Sequence, residues 1–448
     1  MKLAELSTLE ISFNQLIETL LTQKTETEQF TVRLTSEQSQ FTRFNHAKVR
    51  QTGLVADGSI TLTLMENQRS SFRTFPFTGN WDIDQETTST ALLELREELT
   101  VLPIDPYLVL PSGNNRSREV NSGKLLATES VVPTLLELVS DLDFTGMYAG
   151  GVVIKAYGDS QGQKHWFTTD TFTLDYSLFD ANGQAVKGIF AGSNWDEAAY
   201  IAKINQAKTQ LKLLSRPAKE LTKGQYKTYF APAAVADLLG MLSWSAVSEA
   251  DLQQGNSALA KLSRQEKQLS PKFSLKENFQ QGFVPRFNQL GEMVAPELPI
   301  ISQGLLVNTL INSRTAKEYG KIPNGANSSE TLRAPEITPG NLGVDEILGS
   351  LDTGLYISNL HYLNWSDRPT GRITGMTRYA CFWVEKGEII APIENLRFDE
   401  SLYRFWGDNL IELTNFQEFI PEVGTYQSRQ LGGSLVPGML VNDFTYTL

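Results

Sequence analysis

The stretch Ala231 to Val247, APAAVADLLGMLSWSAV, constrains this fold more than any other part of the chain. It is strongly apolar, and Val235, Leu238, Leu239, Leu242 and Ala246 recur at i, i+3, i+4 spacing, which predicts a helix. Pro232 suits the first turn, where a missing N–H costs nothing. A half-exposed helix would carry Glu or Lys on its other side, but here that side holds Gly240, Ser243 and Ser245. The chain therefore has to wrap other elements around this helix, and either close packing or a cleft is expected against its small face.

Ahead of it, residues 3 to 23 predict an amphipathic helix with Leu9, Phe13, Leu16, Ile17 and Leu20 on one face. Strands are expected at Gln29 to Thr35, Gln40 to Asn45, Lys48 to Leu54, Ser59 to Met65 and Arg69 to Phe75, with breaks near Ser36 to Ser39, Asp57-Gly58 and Glu66-Asn67. Helices follow at Thr87 to Leu99, Val131 to Leu142 and Trp195 to Leu214, separated by strands between Gly150 and Ala191. Beyond the apolar helix come short strands punctuated by glycine and proline, among them Leu355 to Asn359, Ala380 to Glu385 and Met439 to Tyr446. The expectation is an α+β chain: an N-terminal helix-and-antiparallel-sheet domain over residues 1–215, then a β-rich, barrel-like domain over 216–448.

Charge and cysteine content narrow the function classes. The formal net charge is −12 and the basic residues are scattered, which argues against a nucleic-acid partner. The single cysteine, Cys381, cannot form an internal disulfide and fits a reducing compartment, so a cytoplasmic location is expected. Glu5, Glu10 and Glu18 interrupt the first helix, which therefore lacks the apolar run of a signal peptide. The only stretch apolar enough to suggest a membrane span contains Asp237 and is short for one, so the chain is read as soluble, without a membrane partner.

Motifs for chemistry are sparse. Gly158-Asp159-Ser160-Gln161-Gly162 matches G-x-S-x-G, but it joins two expected antiparallel strands rather than a strand and a helix, where Asp, Ser and Gly are ordinary turn residues. His46, His165 and His361 are the only histidines and lie far apart, with no H-E-x-x-H and no Cys-x-x-Cys spacing. Ser122-Gly123-Lys124 lacks the upstream glycine of a phosphate loop. In Pro323-Asn324-Gly325-Ala326-Asn327, the freedom of Gly325 between two amides suits close approach to a ligand backbone, and suits a tight turn equally well.

Taken in order, GLLVNTLINSRTAKEYG, PNGAN, GLYISNL, TGRITG, CFWVEKGEIIAPIENL and GGSLVPGMLVNDFT resemble the C-terminal half of the TldD/PmbA family, also called modulator of DNA gyrase. That family comprises cytosolic metallopeptidases and their partner subunits. The TldD-type subunit carries H-E-x-x-x-H on a helix with a late cysteine as a further zinc ligand, and PmbA (TldE) relatives lack them. The resemblance implies that Gly240 stands where the first His would be, Met241 where the Glu would be and Ser245 where the second His would be. None of these supplies an imidazole or a general base, and a neutral hydroxyl is a poor zinc ligand. Cys381 is not at the late ligand's position.

The resemblance thus implies a PmbA/TldE-like chain with no catalytic or metal-binding residue, zinc being expected only in a TldD-like partner. Together they would bind and process unfolded peptides, held by main-chain pairing. Candidate cleft residues are Asn324, Gly325, Asn327, Thr370 and Gly371, with His361 and Trp365 for hydrogen bonding or stacking. Two alternatives stay open. One is a stand-alone hydrolase using Ser160 or Ser245, with His165 or His361 brought near as base; the other is a homodimeric peptide-binding protein without a proteolytic role.

Overall fold

The structure, a computed structural model, describes residues 3–447. Two sheets organise it, with 26% of the chain in helix and 41% in strand. The first is built from β1 (Gln29–Asn45), β2 (Lys48–Glu66), β3 (Arg69–Pro76), β4 (Arg116–Asn121), β5 (Asp143–Asp159), β6 (Lys164–Phe179) and β7 (Ala185–Gly192). Its order is β3-β2-β1-β5-β6-β4, with β7 also on β6. Neighbours run antiparallel except β4, which lies parallel to β6.

Alternation decides which way this sheet faces. Phe30, Val32 and Leu34 of β1 are buried beneath α1 (Leu3–Gln23) and α2 (Trp81–Leu99), whose Leu16, Ile17, Leu92 and Leu95 close the same cluster. Each such side chain contributes about 1.5–3 kcal/mol by leaving water. Arg33 and Thr35 consequently point to the opposite face, toward the second half of the chain, and a one-residue slip would exchange the two sets. α2 starts earlier than its apolar spacing suggests, at Trp81, because the Asn80 side chain accepts the Asp82 N–H at 3.2 Å.

Two expected breaks do not exist, since β1 and β2 run unbroken. Ser36, Glu37, Gln38 and Ser39 look like a polar turn but are 3–7% exposed. Ser36 donates to the Asp57 carbonyl and Ser39 to the Glu37 carboxylate, so for these three residues hydrogen bonds replace the water that a turn would have given, while the Gln38 amide is buried without a partner among the described residues. Gly58 is not a turn glycine either. A Cβ there would sit 2.8 Å from the Phe77 carbonyl oxygen, and the glycine is what lets that chain pass.

The second sheet holds 13 strands, beginning with β8 (Gly224–Phe230) and ending with the strand Gly433–Tyr446. It is β-rich as expected, but it does not close into a true barrel. It is also mixed: β8 lies parallel to Gly354–Ile357, and Pro335–Ile337 parallel to Gly433–Tyr446. The apolar helix α5 (Pro232–Gly240) packs against this sheet, and its Val235, Leu238 and Leu239 are fully buried with Phe230, Met439 and Phe444. Pro232 does open the helix, but the helix is shorter than predicted. It tightens to 3₁₀ over Met241–Ser243 and then breaks, with Ser245 at φ 60°. Among the described residues no helix is long and apolar enough to cross a membrane.

The two sheets share a core. Ala380 and Phe382 of the second half are buried in one cluster with Val131 and Leu135 of α3 (Val131–Glu137), with Phe144 and Tyr176, and with Tyr200 and Ile204 of α4 (Glu197–Leu214). Asp196 caps α4 by accepting the Ala199 N–H at 3.0 Å.

Candidate functional site

The end of α5 opens on a cleft of about 600 Å³ between the two sheets. Leu239, Gly240 and Ser243 form one side, Arg33, Thr35 and Lys155 of the first sheet the other, and the loops around Asn288, Asn327 and Arg333 complete it. Gly240 has helical backbone angles, and no heavy atom lies within 4 Å of where its Cβ would be. Space for a side chain therefore exists where the chain has none.

Zinc does not fit the three positions that the resemblance sets against the metal motif. Gly240 offers no donor, Met241 is 5% exposed and packed in the core around α5, and Ser245 has left the helix with a left-handed backbone. The motif sets its two His five positions apart on one helix, and here the helix ends before Ser245. Among the described residues no three His, Cys, Asp or Glu side chains form a group able to hold a metal. The histidines stay apart: His46 faces Asp143 at 2.9 Å in the β1–β2 turn, His165 on β6 bonds the Ser117 hydroxyl at 2.8 Å, and His361 lies against Tyr362. Burial pushes the His165 pKa down. Cys381 is buried, with its thiol on the Arg378 carbonyl, and burial pushes its pKa up, away from reactivity.

Ser160 has no histidine on it. Its hydroxyl donates to Gln29 Oε1 at 2.6 Å and accepts the Phe30 N–H at 3.2 Å, which fastens the β5–β6 turn to the start of β1.

The loop candidates separate into cleft and scaffold. Asn327 lines the cleft, and its amide group accepts the Thr331 N–H at 3.0 Å and donates to the Thr331 hydroxyl at 2.8 Å. Asn324 is a brace: it accepts the Ile311 N–H at 2.9 Å and donates to the Thr309 carbonyl at 2.7 Å. Gly325 has φ 80°, and its missing Cβ would crowd the Val294 backbone at 3.0 Å. Trp365 donates its indole N–H to the Trp244 carbonyl at 2.7 Å, holding the segment that follows α5. Thr370 and Gly371 form a turn, Gly371 at φ 63° against Leu402 and Tyr403. The residues lining the cleft include none of His361, Trp365, Thr370 and Gly371.

Sequence reasoning missed the cations on the facing wall. Lys155 donates to the Thr35 hydroxyl at 3.2 Å, and burial pushes its pKa down to about 8, against the pull of Glu37 and with the push of Arg33. Burial also lowers the Arg333 pKa, opposed by Glu277, whereas the Arg33 side chain lines the cleft and is exposed.

Comparison with solved structures finds the same fold elsewhere. TldE from Thermococcus kodakarensis superposes with a TM-score of 0.79 at 13% identity, covering 98% of this chain and 100% of that one. A Thermotoga maritima protein described as a modulator of DNA gyrase gives 0.77 at 16% identity, with 98% and 100% covered. One from Bacteroides thetaiotaomicron, described likewise, gives 0.75 at 15% identity, with 98% of each covered. No curated protein sequence matches the chain. The sequence profile of the PmbA/TldA metallopeptidase C-terminal domain matches residues 223–448, which take in α5, the cleft loops and the second sheet. The chain belongs to the TldD/PmbA family.

Proposed function

We propose that this chain is a PmbA/TldE-like, non-catalytic subunit of a cytosolic peptidase complex, which pairs with a TldD-like zinc subunit and holds unfolded peptides in its cleft. One observation carries the reading. The helix end that the resemblance sets against the His and Glu of TldD-type chains faces a cleft of about 600 Å³, while Gly240, Met241 and Ser245 supply neither ligand nor base. The hollow has the size of a ligand site, and an extended peptide can be held there through its main chain without a catalytic side chain.

The test is reconstitution. The purified chain alone should cleave no unfolded peptide, whereas adding a TldD-like subunit should give cleavage that a zinc chelator abolishes and that exceeds the activity of the TldD-like subunit alone. Chelator-insensitive cleavage by the isolated chain would refute the proposal. So would a TldD-like subunit that neither associates with it nor gains activity from it. Asn327→Ala should alter partner-dependent turnover, whereas Asn324→Ala should act only through stability.

A further inference from the structure

The cleft wall facing α5 carries charge that the fold does not use. In the β1–β5 register Arg33 lies opposite Tyr157 and Thr35 opposite Lys155, so Arg33 and Lys155 are diagonal neighbours on one face of the sheet. Both line the cleft, and the acidic residue lining it is Glu422. Arg333 is a strut: its guanidinium donates to the carbonyls of Pro285, Phe287 and Gly325 and lies over the Phe279 ring, with Glu277 beside it. Arg33 differs, since its guanidinium has no hydrogen-bond or ion-pair partner among the described residues. The Lys155 ammonium has one hydrogen bond, to the neutral hydroxyl of Thr35. Glu37 favours the Lys155 charge from a distance, but its own oxygens accept from the Arg429 N–H and the Ser39 hydroxyl.

Two neighbouring cations without a paired carboxylate raise the free energy of a folded chain, more so where protein walls displace water. An anion arriving in the cleft would reverse that sign. A guanidinium with all its donors free takes a carboxylate in a two-pronged grip, and an ammonium beside it adds a point charge.

We propose that Arg33 and Lys155 form a carboxylate-binding subsite, so that the peptides taken into this cleft are those presenting an acidic side chain or a free C-terminus to the first sheet. This rests on the reading of the cleft as a peptide site, and it adds which peptides enter. Arg33 positions the carboxylate, Lys155 strengthens the hold, and α5 with its small Gly240 and Ser243 leaves room for the rest of the peptide.

The experiment titrates the full-length chain with a fluorescent, unstructured decapeptide. The peptide is made with one internal Glu or with Gln in its place, each with a free or an amidated C-terminus. Wild type should bind the carboxylate-bearing forms about tenfold or more tighter than the fully neutral peptide, the size of one charge-assisted hydrogen bond, and the preference should shrink with added salt. Amidation removing it identifies the C-terminus, and Gln removing it identifies the side chain. Arg33→Gln/Lys155→Gln should erase the preference, and Lys155→Glu should favour a Lys-bearing peptide. Equal binding of charged and neutral peptides by wild type, or a preference that survives the double substitution, overturns the subsite. A second arm uses N-acetylglutamate. If no peptide binds but this small carboxylate raises the melting temperature of wild type and not of the double variant, the subsite stands and the peptide reading falls. If it protects neither, the subsite is refuted.

Discussion

Arg429 and Thr171, 258 positions apart, are joined twice: one guanidinium nitrogen donates to the Thr171 carbonyl at 2.9 Å and to its hydroxyl at 2.7 Å. The other end of the guanidinium donates to the Gly151 carbonyl at 3.1 Å, and the Arg429 N–H reaches Glu37 at the same distance. Arg429 is 4% exposed, so a loop of the second half delivers a buried cation into the middle of the first sheet.

Arg429→Met should therefore take the guanidinium from the Gly151 and Thr171 carbonyls and the Thr171 hydroxyl, and its charge from beside Glu37, in a site closed to water, while the backbone N–H to Glu37 remains. The expected loss is about 3–5 kcal/mol, read as a lowered urea midpoint. Arg429→Lys, with the charge but not the fork, should recover only part of it. Full stability in Arg429→Met would show that the loop is dispensable.

We propose that the division at 215/216 separates two units that do not stand alone. Ala380 and Phe382 complete the cluster around Tyr176, Tyr200 and Ile204, so residues 1–215 made without the rest should bare an apolar surface there. That fragment should bind a hydrophobic dye and melt below the intact chain, which should unfold in one transition. A fragment that melts at the full-length temperature would contradict this.

Lys155→Met tests whether the cleft charge costs stability. With its pKa pushed down to about 8 from an unfolded value of 10.5, the folded chain binds this proton less tightly than the unfolded chain. Folding is therefore penalised while the lysine is charged, and the penalty fades as the pH rises from 8 to 10.5. Lys155→Met should be more stable than wild type at pH 7, by roughly 1 kcal/mol once solvent screening is allowed for, and the gap should close by pH 10.5. Denaturant titrations at pH 7, 9 and 10.5 would show it. A variant less stable at pH 7 would make the lysine a structural residue.

The three positions that the family resemblance sets against the zinc motif should respond unequally. Gly240→His has open space and ordinary helical angles, so stability should change by under about 1 kcal/mol. Met241→Glu puts a carboxylate into the core around α5 and should cost about 3 kcal/mol or more. The Gly240→His/Met241→Glu/Ser245→His triple variant should not retain stoichiometric zinc on metal analysis, because Ser245 lies beyond the helix break.

Much of the architecture was legible in local chemistry. Pro232 marked where α5 begins, and the spacing of Phe13, Leu16, Ile17 and Leu20 marked the face of α1 that is buried. Ser36 to Ser39 misled because local composition describes a turn, while Glu37 and Ser39 are met by Arg429, which no window of neighbouring residues contains. The cleft was half legible. Gly240 stood out on the small face of the apolar helix and Asn327 in its glycine loop, but Asn324, Gly325 and Trp365 brace the backbone, and polar turn chemistry looks alike in both roles. Arg33 and Lys155 gave no signal of their own. In QFTVRLT the alternation sends Arg33 to the side away from Phe30, Val32 and Leu34, which reads as solvent until the second sheet is placed opposite it.

The placement of Arg429 also bears on when the protein can finish folding during its synthesis. Its backbone contact with Glu37 spans 392 positions, so the polar middle of the first sheet meets its last partner only after nearly the whole chain has been made. At about 5–20 residues per second, the nascent chain waits roughly 20–80 s between making Glu37 and making Arg429. Throughout that interval the first sheet leaves the ribosome with an unfilled polar seam, and a chain truncated before its final loop keeps that seam for its lifetime.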